Sequence, residues 1–132
     1  MKTIVAGSRT NVTLDDVRHA MAKAPFTITE VVSGTARGVD QFGEIIAIEL
    51  DLPITQFPAQ WSDLTAKPCK VKQNQYGKYN CLAGHNRNTE MSHYADALIA
   101  ICPKKITPGT KNMIERMKRI GKEIFVYIID HP

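Results

Sequence analysis

The stretch "SGTARGVD" (residues 33–40) follows directly on the apolar run "ITEVV" (28–32). That run is β-branched and reads as a strand. Behind it, "GVDQFGEIIAIEL" (38–50) sets Val39, Phe42, Ile46 and Leu50 on one helical face. Glycine is costly between two such elements unless the backbone turns sharply or lies against something. Gly34 and Gly38 therefore mark a strand-to-helix turn that leaves room for a close neighbour.

Outward from this turn the same alternation recurs. "KTIVA" (2–6) is short and apolar, ends at Gly7, and reads as a buried strand. In "NVTLDDVRHAMAKA" (11–24), Thr13 caps a helix with Asp16 three residues on, and Leu14, Val17, Met21 and Ala24 share a face. The second strand is expected over 26–32 and the third over 52–57, where Pro53 suits a strand start. Residues 86–95 read as a helix, 96–102 as a strand, 107–121 as a helix stopped by Gly121, and 122–129 as a last strand. Strands joined by helices pair in parallel through right-handed crossovers. The expected fold is α/β: one Rossmann-like domain over residues 1–132, a doubly wound parallel sheet of about five strands, order 3-2-1-4-5, with helices on both faces. Between 58 and 84 no period is sustained, and a long basic loop is expected at about 62–83.

Composition narrows the class. The apolar fraction of 43% and charged fraction of 23% are ordinary for a globular chain of 132 residues. No apolar run approaches the ~20 residues that span a bilayer, and "MKTIVAGSRT" lacks a signal-peptide core, so a cytosolic protein without membrane partners is expected. Cys69, Cys81 and Cys102 form no CxxC pair and read as reduced thiols. Cys69, Cys81, His85 and His93 match no compact ligand spacing, so no metal site is expected. Neither His19 on its amphipathic helix nor His131 in the tail has a nameable partner. The net charge of +4 is uneven: Lys67, Lys70, Lys72, Lys78 and Arg87 stand in a stretch free of acids between Asp63 and Glu90. Such a cluster suits an anionic partner or simply keeps a loop solvated.

In a doubly wound sheet the ligand crevice lies at the carboxyl ends of the strands, where the strand order reverses. Three turns meet there: "GSRT" (7–10), "SGTARG" (33–38) and "CPKKITPGT" (102–110). Helix N-termini expose N–H groups and partial positive charge that favour an anion, and glycine permits its close approach. Ser8, Ser33, Thr35, Thr107 and Thr110 add hydroxyls, and Arg9, Arg37 and Arg87 are candidate anion clamps. Asp40 falls in the first turn of its helix, placed either to meet the helix dipole or to reach a ribose hydroxyl or a water. Glu44 lies one turn further on the same face and is a second candidate carboxylate, or an ion-paired surface residue. Trp61, the sole tryptophan, either stacks on a base or covers the core.

Together "GSRT", "SGTARGVDQFGE", "FPAQW", "AGHNRNTEMSHYADALIAI" and "TPGTKNMI" span most of the chain in that order. This series resembles the SLOG superfamily, named for the DNA-processing Smf/DprA proteins and the Lonely Guy enzymes, and within it the small YspA-like proteins of bacteria and phages. The resemblance implies a Rossmann-like fold, a bacterial cytoplasm (or a host cell for a phage protein), a tendency to form homodimers, and a pocket for a nucleotide or nucleotide-derived ligand related to NAD or ADP-ribose. By motif match that pocket includes Gly7, Ser8, Arg9, Ser33, Gly34, Arg37, Gly38, Asp40, Arg87, Asn88, Gly109 and Thr110, with Arg87 and Asn88 matching the family's GxxRN. Lonely Guy enzymes carry a PGGxGTxxE motif with a catalytic glutamate; here that position is Met113, which can neither carry charge nor transfer a proton.

Three functions follow. The first is a sensor or sequestering protein that needs only the nucleotide pocket and no further cofactor. The second is a hydrolase of a nucleotide N-glycosidic or phosphate bond, with Asp40 or Glu44 positioning water. The third is a single-stranded DNA-binding module of the DprA type, in which the basic stretch 67–87 tracks the backbone and Tyr76 and Tyr79 stack on bases.

Overall fold

In a computed structural model, residues 1–129 are described; His131 lies outside them. The chain runs β1 (Lys2–Gly7), α1 (Leu14–Lys23), β2 (Glu30–Ser33), α2 (Val39–Glu49), β3 (Ile54–Gln56), β4 (Val71–Asn74), β5 (Gly77–Asn80), α3 (Ala83–Tyr94), β6 (Ala97–Cys102), α4 (Pro108–Arg119) and β7 (Glu123–Ile128). Five strands form a parallel sheet in the order β3-β2-β1-β6-β7. This is the expected 3-2-1-4-5 order with two further strands inserted in the chain.

The pleat sends neighbouring residues to opposite faces, so each central strand feeds two cores. Val5, Val31, Ile99 and Ile101 pack against Val17, Ala20 and Met21 of α1 and Val39, Ile46 and Ala47 of α2. Their neighbours Ile4, Val32, Leu98 and Ala100 pack against Met91 of α3 and Met113 and Met117 of α4. All six residues of β6 are buried, as expected of a central parallel strand. The chain changes face between β3 and β6, which places the switch point between β1 and β6.

Some boundaries differ from the sequence reading. Phe26 and Ile28 pack on the core without joining the sheet, so β2 begins at Glu30 rather than at 26. The segment read as one long loop carries an antiparallel hairpin, β4–β5, which forms a separate two-stranded sheet. β4 is exposed throughout and therefore shows no apolar alternation. Helix α3 starts at Ala83, three residues earlier than expected, which places Arg87 and Asn88 in its second turn rather than at its very start.

Candidate functional site

Three strand-to-helix turns converge at the carboxyl ends of β1, β2 and β6 around a cavity of about 300 Å³. The first turn supplies Gly7, Ser8, Arg9 and Thr10; the second Gly34, Ala36 and Asp40; the third Thr107, Gly109 and Thr110. Helix α3 adds Arg87, Asn88 and Met91, and α4 adds Met113.

The turns are fastened to one another by close backbone approach. Gly38 has φ 76°, and a Cβ there would stand 2.4 Å from the Ser8 carbonyl oxygen. The adjacent Val39 N–H donates to that oxygen at 3.0 Å. Thr35 is also left-handed, at φ 64°, a strained conformation for a β-branched residue. Its N–H donates to Ser33 Oγ at 3.1 Å.

Gly34 has a different reason to be glycine. A Cβ there would lie 2.8 Å from Arg87 Nη1 and 2.8 Å from Asp40 Oδ2. The two charged groups thus stand over one backbone atom, no more than twice that distance apart. Arg87 reaches across from the second turn of α3 and donates from Nη1 to the Gly34 carbonyl at 2.5 Å and from Nε to Asn88 Oδ1 at 3.1 Å. Asn88 Nδ2 donates to the Gly109 carbonyl at 3.4 Å and to Asn112 Oδ1 at 3.2 Å. One hydrogen-bonded chain therefore links the second turn to the third.

Asp40 is only 6% exposed, and its Oδ2 accepts the Ala36 N–H at 3.1 Å. Burial pushes its carboxyl up to about 6; the Ala36 bond, Arg87 and Arg9 pull the other way, and Glu44 adds to the rise. Burial likewise lowers the Arg87 pKa, opposed by the Asp40 charge and reinforced by Arg9.

The helix ends divide by location. Helix α1, which does not line the cavity, has a complete capping box: Asp16 N–H to Thr13 Oγ1 at 3.1 Å and Thr13 N–H to Asp16 Oδ2 at 2.8 Å. Helices α2, α3 and α4, which do line it, have no side-chain cap among the described residues. The first turn of α4 contains no acid, and its last turn carries Arg116, Lys118 and Arg119, which complement the helix dipole. Its opening N–H groups, beside Gly109 and the Thr110 hydroxyl, are a ready anion site.

The cavity gathers Gly7, Ser8, Arg9, Gly34, Asp40, Arg87, Asn88, Gly109 and Thr110, as the motifs suggest. The other expected site residues lie elsewhere. Arg37 is exposed and outside the lining. Ser33 is buried behind it, donating to Glu44 Oε2 at 2.6 Å. The other Glu44 oxygen accepts Gln56 Nε2 at 2.8 Å, so Glu44 is occupied by structural partners outside the lining. Thr35 and Gly38 shape the turn without lining the cavity, and Trp61 stands to one side, over Gly84. Thr10 and Met91 were not anticipated; Met91 follows Arg87 by one helical turn, a spacing that could have signalled it.

No protein-family model and no curated protein matches this sequence. Among solved structures the fold is similar to the X-ray structure of DNA processing protein A (DprA) from Streptococcus pneumoniae. The TM-score is 0.68 at 17% identity, over 95% of this chain and 49% of that one, so the chain spans about half of that neighbour's length. The class defined is the Rossmann-like α/β fold that this DprA shares.

Proposed function

We propose that the crevice binds a nucleotide or nucleotide-derived ligand by its phosphate, and that the protein serves as a sensor or sequestering protein. The observation that carries this is the meeting of an uncapped helix N-terminus with Arg87 and Arg9 in one cavity. The phosphate sits on the amides of the α4 N-terminus and the Thr110 hydroxyl, with Arg87 on its flank. Asp40 faces the ribose, where a carboxylate accepts hydrogen bonds from the hydroxyls. Binding is favoured over hydrolysis because Met113 lines the cavity where the Lonely Guy motif has its glutamate, and Glu44 is held by Ser33 and Gln56.

Thermal unfolding with AMP, ADP-ribose, NAD and cyclic nucleotides tests the reading. A ligand at 100 times its Kd should add ~2.7 kcal/mol of stability. A panel that leaves Tm unmoved refutes it.

A second reading, single-stranded DNA, is favoured by the fold shared with a DNA processing protein and by the β4–β5 hairpin. Lys72 pairs across the hairpin with Tyr79, and Tyr76 at its tip is 88% exposed, next to Lys78. Binding of labelled single strands that weakens steeply between two salt concentrations supports this reading, and a flat response removes it.

A further inference from the structure

Trp61 is the chain's sole tryptophan and is 45% exposed, although its backbone is fixed: its carbonyl accepts the Asn80 N–H at 2.7 Å. The edge of its ring rests on Gly84, in the first turn of α3. A Cβ at Gly84 would stand 3.5 Å from Trp61 Cη2 and 3.8 Å from Arg87 Nη2, so indole and guanidinium approach one point from two sides. Arg87 lines the main crevice and also a smaller cavity of about 70 Å³. That second cavity lies between the Trp61 loop, through Pro58, Gln60 and Asp63, and the α3 residues Ala83, Asn86 and Glu90.

The two cavities meet at Arg87 and differ in charge. The main crevice offers Arg9, Arg87 and a helix N-terminus; the smaller one offers the carboxylates of Asp63 and Glu90. A phosphate is repelled from the second, whereas a neutral base bearing N–H groups is not. Arg87 borders both cavities, so a sugar phosphate held against it in the main one, of about 300 Å³, has the second within reach of its base.

Resting on the reading that the crevice holds a nucleotide's phosphate, we propose that Trp61 and the adjoining cavity form the subsite for its base. The base stacks on the exposed indole, with Arg87 between base and phosphate.

Because Trp61 is the only tryptophan, emission excited beyond the tyrosine absorption band reports on this subsite alone. The probes are AMP and ribose 5-phosphate, which differ by the base, each followed by fluorescence and by thermal shift. The expected result is that both raise Tm and only AMP quenches Trp61 saturably. Trp61→Ala should weaken AMP binding roughly tenfold or more, leave ribose 5-phosphate unchanged, and be largely rescued by Trp61→Phe. Unchanged ribose 5-phosphate binding also shows that the variant is folded. If AMP binds without quenching and Trp61→Ala holds it as tightly as wild type, the base subsite is overturned while the phosphate crevice stands. If neither probe binds wild type, the crevice reading fails and takes the subsite with it.

Discussion

Replacing Asp40 with asparagine should stabilise the protein at neutral pH, although Asp40 lies at the centre of the site. The native fold moves this carboxyl from 3.8 to about 6, a little over two pKa units. Each unit is 1.36 kcal/mol, so keeping Asp40 ionised costs the native state about 3 kcal/mol above pH 6. The sign follows from proton binding. Between pH 3.8 and about 6 the native state holds more of the proton than the unfolded chain does, so this group's contribution to stability falls as pH rises through that window and is flat above it. Asparagine carries no charge, and its Oδ1 can still accept the Ala36 N–H. Urea unfolding of both proteins at a series of pH values should favour Asp40→Asn by about 2–3 kcal/mol at pH 7, with the difference shrinking towards zero near pH 4. Comparing the two proteins cancels the other carboxylates. A difference independent of pH, or a variant weaker than wild type at pH 7, refutes the reasoning and means that Arg87 and Arg9 already compensate the charge. Ligand binding adds a second readout: a phosphate dianion nearby raises the Asp40 pKa further, so affinity should fall as pH rises above about 6 in wild type and vary less in Asp40→Asn.

Arg87→Ala should abolish nucleotide stabilisation while leaving a cooperative unfolding transition; undiminished Tm shifts would place the phosphate elsewhere. At Gly109 nothing lies within 4 Å of an added Cβ, so Gly109→Leu should keep or slightly raise apo stability, by about 0.5–1 kcal/mol from helix propensity, while filling the crevice and blocking ligand. Calorimetric titration and unfolding of that one variant separate the two effects. Gly38→Ala should destabilise by at least about 2 kcal/mol, since its φ of 76° is unfavourable for alanine and its Cβ would meet the Ser8 carbonyl at 2.4 Å; a neutral result in chemical denaturation would mean that the first two turns are not locked together.

The sheet order was legible because each central strand is a short β-branched run and each following helix carries one apolar face, as in "KTIVA" and "DALIAIC". Turn glycines then located the crevice without any knowledge of its contents. Single residues within it were less legible. Arg37 and Arg87 look equivalent as lone arginines in motifs, yet Arg37 stands at the exposed crest of a tight turn while Arg87 projects from the second turn of a helix into a gap that Gly34 leaves. That distinction depends on where α3 begins, and its Leu82 N-cap makes no side-chain bond, so no capping signature marked the start. Asp40 and Glu44 share a helix face, but Ser33 lies behind the turn and takes Glu44 out of the crevice, a pairing between residues eleven apart that periodicity does not encode. The β4–β5 hairpin was missed because strand patterns report burial on one face, and β4 has none.

The costs in this fold fall together around the proposed site. Thr35 in a left-handed conformation, a buried carboxylate with a raised pKa, and three helices without side-chain caps among the described residues stand in or beside one crevice, while α1 is fully capped. Each cost is modest alone, of order 1–3 kcal/mol. Turn chemistry offers no reason to place them together: α4 has Thr107 at its N-cap, as α1 has Thr13, yet the Thr107 hydroxyl bonds Thr110 Oγ1 at 3.1 Å and caps no backbone N–H. An anion that accepts the free N–H groups of α4 and pairs with Arg87 relieves the helix end, while it opposes the ionised form of Asp40. Ligand should therefore lose stabilising power in wild type as pH rises through about 6 and keep more of it in Asp40→Asn, because in the variant the charge that opposes the anion is gone.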